Sequence, residues 1–284
     1  MTFREVLPSP FTVSIRARIV NLRCSVHDRS IAEGGAGKPV GVYAASVDHR
    51  HRRRDEPDRL HSRRIRRPLS PRRTPMASSA FVTSDFKIFD VNGFKPRMSE
   101  IRARVRPKLD ALGGSLAPSV SRSVGGAVFA HVARHARRTV NPPDDTWVAF
   151  GPDARGYKKH SHFKIAVSRS GVRFLFEIGP EHADKRRWAS AWKKNAPKVG
   201  PVLRRAKHLA WFKNEHDDEP AAPLADLTPE KLGELADELI RTRDGQFVVG
   251  RVVPADEAAR WTEAQYRSAA LETFRALAPL YRLR

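Results

Sequence analysis

Cysteine is nearly absent from this chain: Cys24 is the only one in 284 residues. An intramolecular disulfide is therefore excluded, and so is a cysteine-based zinc site anywhere in 76–284. A reducing, cytoplasmic setting fits that usage. Long apolar runs are also missing, and none approaches the ~20 residues that span a bilayer, so no membrane is expected as a partner. Arg16, Arg18 and Arg23 interrupt the one apolar stretch near the N-terminus, which excludes a signal-peptide core there. The sequence contains no Gly-x-Ser-x-Gly, P-loop or Gly-x-Gly-x-x-Gly pattern, so no cofactor is expected.

Negative charge is scarce relative to positive: 53 Lys and Arg face 31 Asp and Glu, a net of +22. Such a balance concentrates anionic partners near the protein, whether nucleic acid or small anionic ligands. The excess is of two kinds. Residues 1–75 hold 16 Arg and one Lys against 7 acids, whereas 76–284 hold 23 Arg and 13 Lys against 24 acids.

Residues 44–75 lack apolar periodicity, and the glycines of Glu33-Gly-Gly-Ala-Gly break up what precedes them. Too little surface can be buried to offset the entropy of ordering, so 1–75 is expected to be a disordered Arg-rich segment. Met76 reads as a natural start, with 1–75 as translated upstream sequence. The alternative is a basic arm for nucleic acid, a targeting segment or a nuclear-localisation-like cluster.

Residues 76–284 read as one globular domain. Met98, Ile101, Val105, Leu109 and Leu112 follow Pro96 at helical spacing. Pro107 should kink or divide that helix, and Gly113-Gly114 should stop it. Thr146–Phe150, Phe163–Ser168 and Val172–Ile178 alternate at period two, with a hairpin turn at Ser170-Gly171. Residues 183–206 look helical, with Trp188 and Trp192 four apart, and Pro197 and Pro201 should interrupt them. Thr228-Pro229 predicts a helix start, Gln246–Val253 a strand, and Thr262–Leu277 a last helix ended by Pro279. Strands and helices interleave without a βαβ repeat. The expected class is α+β, a mostly antiparallel sheet packed against helices.

The chemistry is concentrated between His131 and His162, which hold four of the seven histidines after residue 75. His131 and His135 are four apart, a spacing that suits one face of a helix or a strand; Val128–Arg134 leans to strand. A His-x-x-x-His pair can bind zinc with a third ligand from His160, His162 or Glu177. Val132 stands where a metalloprotease motif needs Glu, and the flanking residues are cationic, so no metal is expected. Arg134, Arg137 and Arg138 precede a rigid Asn141-Pro-Pro turn. Their guanidinium forks suit phosphate or carboxylate, and Asp144-Asp145 could orient Arg137 or Arg138 by ion pairing. The bland counterpart is an Arg–Asp cluster that staples the turn to the sheet. Arg155-Gly-Tyr-Lys-Lys-His160 falls between two strands, where Tyr157 and Trp147 could stack on a base, although Trp147 on its strand also suits a core position.

Arg137-Arg-Thr-Val-Asn-Pro-Pro-Asp-Asp-Thr-Trp-Val-Ala-Phe150, followed by Arg155-Gly-Tyr-Lys-Lys-His160, resembles the signature of the YktB-like family of bacterial proteins, a domain of unknown function. The likeness runs over most of 80–284, with a fainter echo at Leu277-Ala-Pro-Leu-Tyr281. It implies a shared fold and assigns no activity or residue roles.

Three functions stay open. The first is a polyanion-binding module, for RNA or single-stranded DNA, using His131, Arg137, Arg138, Asn141, Arg155, Tyr157, Lys158 and Lys159. The second is an enzyme for a phosphorylated or carboxylated small molecule, with His135 or His160 as acid or base and Asp144 orienting a histidine. The third is a structural or partner-binding protein in which the signature is architectural. Oligomeric state is not legible.

Overall fold

A computed structural model describes residues 79–283. The expectations for residues 1–75 and for Met76 lie outside the described residues.

Period-two alternation sorts the strand side chains onto two faces, and the whole architecture follows from what each face carries. The described residues begin with α1 (Thr83–Phe86), a 3₁₀ turn (Lys87–Asp90), α2 (Phe94–Glu100) and α3 (Arg106–Val124). Strands β1 (Phe129–Val132), β2 (Asp145–Gly151), β3 (His162–Ser168) and β4 (Gly171–Ile178) follow as an antiparallel meander. Then come α4 (Lys185–Arg205), β5 (Ala210–Phe212), β6 (Ala222–Pro223), α5 (Pro229–Arg241), β7 (Phe247–Pro254), α6 (Ala255–Ala258) and α7 (Glu263–Tyr281). The seven strands form one antiparallel sheet in the order β1-β2-β3-β4-β7-β5-β6. This is the expected α+β class.

One sheet face is apolar: Val148 and Phe150 on β2, Phe163, Ile165 and Val167 on β3, and Val172, Phe174, Phe176 and Ile178 on β4 belong to a single buried core. Helices α3 and α7 cover it over the meander, while α4 and α5 pack together beside β7. Phe163 lies between the rings of Phe274 and Tyr281, stacked at 4.6 and 5.1 Å. Trp188 and Trp192 stack at 6.2 Å, and both reach Phe247. Their indole N–H groups donate to the carbonyls of Leu280 and Leu232, so two buried donors are satisfied.

Tertiary packing overrides three local stop signals. Helix α3 does not end at Gly113-Gly114 but continues to Val124. A Cβ on Gly113 would stand 3.0 Å from Ala130 and Val148, so this glycine allows close approach of helix to sheet. Pro107 stands in the first turn of α3, directly after a π turn at Ile101–Val105 that joins α2 to α3 without leaving helical backbone, so the pattern changes there but does not break. Helix α4 runs unbroken through Pro197 and Pro201. These two lie four apart on the exposed side, so the carbonyls they leave unbonded can face water, while Trp188, Trp192 and Leu203 are buried. Helix α7 likewise continues past Pro279 to Tyr281. Thr228 does cap α5, its hydroxyl accepting from the Lys231 N–H.

Candidate functional site

The other sheet face carries charge. Register places Asp145 opposite Ser168, Trp147 opposite Ala166, His162 opposite Glu177 and Ala166 opposite Arg173. Asp145, His162, Lys164, Arg173 and Glu177 are all at most 3% exposed. Burying so many ionisable groups is costly unless each is paired. Three loops (133–144, 152–161 and 213–221) supply the cover and part of the pairing.

The 213–221 loop is stapled down by Arg173, which donates to the carbonyls of Asp217 (2.6 Å) and Glu215 (3.2 Å) and to the Asp145 carboxylate (2.7 Å). Ser168 and Ser170 donate to Asp218 at 2.6 and 2.7 Å. Asn214 accepts from the His216 N–H, an Asx turn that aims His216 back at the sheet. His216 then donates through Nδ1 to Asp145, 3.1 Å from each carboxylate oxygen, and its Nε2 lies 3.8 Å from Glu215. Lys164, wholly buried, donates to Glu215, lies 3.6 Å from Glu177, and sits 4.4 Å from the centre of the Trp147 ring.

The 152–161 loop folds back on β2 because residue 151 is glycine: a Cβ there would come within 2.7 Å of Tyr157 Cβ. Trp147 donates its indole N–H to the Tyr157 hydroxyl at 2.7 Å, and the Tyr157 ring packs on His162 at 4.7 Å. In the 133–144 loop, His135 adopts φ +50°, the left-handed region rarely entered by non-glycine residues. That conformation turns its ring edge-on to Trp147 at 5.3 Å and bonds its Nε2 to Thr146 Oγ1 at 3.1 Å.

These parts bound a cleft of about 650 Å³. Trp147, Tyr157, His135, His216, Glu215 and Glu177 line it, and Arg134, Arg137 and Arg138 border it. The three arginine side chains make no hydrogen bond or ion pair among the described residues.

Burial lowers His135 to about 4, aided by the charges of Arg138, His216 and Arg106 and opposed by Asp145. The hydrogen bond to Asp145 raises His216, against burial and Lys164 and with Glu215 assisting. Burial would raise the Asp145 carboxyl, but His216, Lys164 and Arg173 outweigh it and hold the group below the usual range. Glu177 is likewise lowered, burial being overcome chiefly by Lys164 and His162. Burial pushes the Tyr157 hydroxyl up to about 12.

Of the residues nominated from sequence, His135, Arg137, Arg138, Arg155, Tyr157 and Lys158 line this cleft. Arg155 pairs with Asp153 at 3.4 Å and Lys158 with Glu181 at 2.8 Å, so both cations already have partners. His131 stands behind Tyr157, donating to the Asp153 carbonyl at 3.0 Å. It lies on β1, whereas His135 lies in the loop beyond, so the two do not share one face of a regular element as their spacing suggested. Lys159 and His160 line a neighbouring hollow of about 300 Å³ with His182 and Arg187. Asn141 is exposed in its turn.

The acid assignments shift by one residue. Asp144 is exposed and pairs with Arg97 at 3.2 Å; it orients no histidine. Asp145 does, and its arginine is Arg173 rather than Arg137 or Arg138. His216, Glu215, Lys164 and Arg173 were missed. The available signal was charge on successive strands, at Lys164, Arg173 and Glu177, beside the polar run Lys213-Asn-Glu-His-Asp-Asp-Glu219. Among the described residues no group of three His, Cys, Asp or Glu is arranged to hold a metal ion.

The fold and site define an antiparallel α+β protein with a charged sheet face opening into a basic-rimmed cleft. Residues 81–281 match the domain of unknown function DUF1054. The chain is 35% identical over 208 residues to a UPF0637 protein of Bacillus licheniformis, covering 73% of this chain and 97% of that one. It is 34% identical over 206 residues to a UPF0637 protein of Macrococcus caseolyticus, covering 72% and 100%, and 34% over 215 residues to one of Lysinibacillus sphaericus, covering 72% and 96%. The chain belongs to this uncharacterised bacterial family, as the signature suggested. No helix among the described residues is long and apolar enough to cross a membrane.

Proposed function

We propose that the cleft binds a phosphorylated ligand about the size of a nucleotide. The observation that carries this reading is the trio Arg134, Arg137 and Arg138, which border a bounded concavity without ion-pair partners among the described residues. Guanidinium forks without a close ion pair around a concave site suit a multi-oxygen anion, with the Glu181 carboxylate within electrostatic reach of Arg137 on the same lining. A volume near 650 Å³ falls in the range of small-molecule sites. The half-buried Trp147 and Tyr157 offer ring surface beside the anion position.

Titration calorimetry with pyrophosphate and a mononucleotide tests it. Changing Arg137 and Arg138 together to Ala should weaken binding at least about 10-fold, since hydrogen bonds to charged groups contribute about 1.5–3 kcal/mol each. Equal affinity in the variant, or no binding by the unaltered protein at low salt, would sink the reading.

A second reading is supported by the Tyr157–His160 loop, which joins this cleft to the hollow containing Lys159 and Arg187. A single-stranded RNA or DNA could place successive phosphates in the two concavities. Anisotropy titration with short RNA across a salt series addresses that. Log-linear weakening, with a shallower slope when Arg137, Arg138, Lys158 and Lys159 are all Ala, supports it. Tight mononucleotide binding with no gain for the oligonucleotide excludes it.

A further inference from the structure

The cleft holds two histidines whose surroundings differ in kind. His216 has Nδ1 tied to the buried carboxylate of Asp145, and its Nε2 lies beyond hydrogen-bond reach of Glu215 at 3.8 Å. His135 has Nε2 tied to Thr146, and its Nδ1 has no partner among the described residues. Both rings pack on Trp147, at 5.3 and 5.8 Å between centres, and both line the concavity that the three arginines border.

We propose that His135 and His216 form an acid–base pair that hydrolyses a phosphate ester held by Arg134, Arg137 and Arg138. The proposal rests on the anion-binding reading and adds a reaction to it. A water oxygen bonds to phosphorus while His135 Nδ1 takes its proton. The phosphorus–oxygen bond to the leaving alcohol breaks, and His216 Nε2 gives its proton to that oxygen. One water is consumed; His135 then releases its proton to solvent and His216 takes one up, so no oxidant, reductant or cofactor is needed.

Three features support the roles. Asp145 fixes the His216 tautomer and favours its imidazolium, the form that donates, while Glu215 adds negative charge nearby and Lys164 opposes it. His135 is kept neutral near pH 7 by burial and by Arg138, His216 and Arg106, which is the form that accepts. Environments that push two titratable groups in opposite directions are how acid and base are divided in one site. The left-handed backbone at His135 is a third: such strain is held only where surrounding structure enforces it, and it clusters at functional sites.

The test uses the full chain with p-nitrophenyl phosphate and bis(p-nitrophenyl) phosphate, and measures inorganic phosphate binding by calorimetry on the same samples. Turnover of at least one ester is expected. His135→Ala and His216→Ala should each lower kcat by about 10²–10⁴-fold, with phosphate affinity changed far less. Activity should rise with pH through the acid limb set by His135 and fall as His216 loses its proton, and His216→Ala should remove the alkaline limb. Asp145→Asn should lower kcat and shift that limb to lower pH. Circular dichroism checks each variant's fold, and His216→Gln, on an exposed loop, serves if His135→Ala unfolds. Phosphate binding without turnover of either ester, or turnover indifferent to both alanine variants, overturns the acid–base pair and leaves the binding reading standing. No binding of phosphate or of either ester overturns the binding reading and the reaction with it.

Discussion

The two faces of the sheet are made by the same strands and stabilised by different physics. The helix-facing side is a continuous apolar core, with Phe163 stacked between Phe274 and Tyr281. The opposite side buries Lys164, Arg173, Asp145 and Glu177 almost as completely. Apolar burial is non-directional and favours folding directly, at about 1.5–3 kcal/mol for a large side chain. Buried charge needs a partner of the right sign at the right place, and breaking one pair leaves its mate uncompensated. Such a face keeps its charges pre-oriented and away from water; Glu177 lines the cleft itself, while Asp145, Lys164 and Arg173 hold the His216 and Glu215 that do.

The sharpest way to break the comparison is to cut each face once. Phe163→Ala should cost about 3–5 kcal/mol of stability, by loss of transfer free energy and creation of a cavity. Arg173→Ala should cost a similar ~3–5 kcal/mol, because Asp145 is then buried without its guanidinium. The faces should differ in rescue. Adding Asp145→Asn should restore part of the Arg173→Ala loss and none of the Phe163→Ala loss. Urea unfolding of the four variants decides this; equal response of both faces would refute the distinction.

A smaller effect comes from pH. The lowered carboxyls of Asp145 and Glu177 bind protons more readily in the unfolded chain, so their stabilisation is present above the ordinary carboxylate range and lost as pH falls through their folded values. His135, lowered to about 4, acts in the same direction: stability rises with pH from about 4 to its ordinary value of 6.5. His216 acts oppositely, its contribution being full below 6.5 and lost as pH rises through its raised folded value. The unfolding midpoint should therefore fall steeply below pH 5 and slightly above neutrality. Phe163→Ala should lower that profile without changing its shape, whereas removing Asp145 and Arg173 together should flatten its acid side.

The smallest stability effect is expected at the rim. Arg137→Ala and Arg138→Ala should each change stability by no more than about 0.5 kcal/mol, since neither side chain has a hydrogen bond or close ion pair to lose and Arg137 has only a longer-range attraction to the exposed Glu181. Thermal melts check this, and a loss above about 2 kcal/mol would make these arginines architectural rather than ligand-binding.

Much of the fold was legible because strand alternation is a local signal. Phe163, Ile165 and Val167 alternate with Lys164, Ala166 and Ser168, and that pattern alone gives a strand with two unlike faces. The capping Thr228 was equally plain, as was the β3–β4 hairpin, although its turn falls at Arg169-Ser170 and Gly171 already opens β4. Gly113-Gly114, Pro197, Pro201 and Pro279 misled because each is a local liability that packing overrides. The site was legible in part: the segment from His131 to His160 does supply His135, Arg137, Arg138 and Tyr157 to the cleft. Its acid partner was misread as Asp144, since Asp144 lies exposed in the bend just before β2 while Asp145 opens the strand and is buried, and only the strand boundary and register decide which one faces the site.

The sequence by itself determined the antiparallel α+β class, the family and the basic character, all of which depend on composition, periodicity and a contiguous signature. Only the tertiary structure decided that Asp145 meets His216 across 71 positions, that Lys164 meets Glu215 across 51, and that Arg173 staples the loop between them. Those pairings depend on where the sheet edge places the 213–221 loop, and charge attraction between distant residues leaves no period in the chain to read.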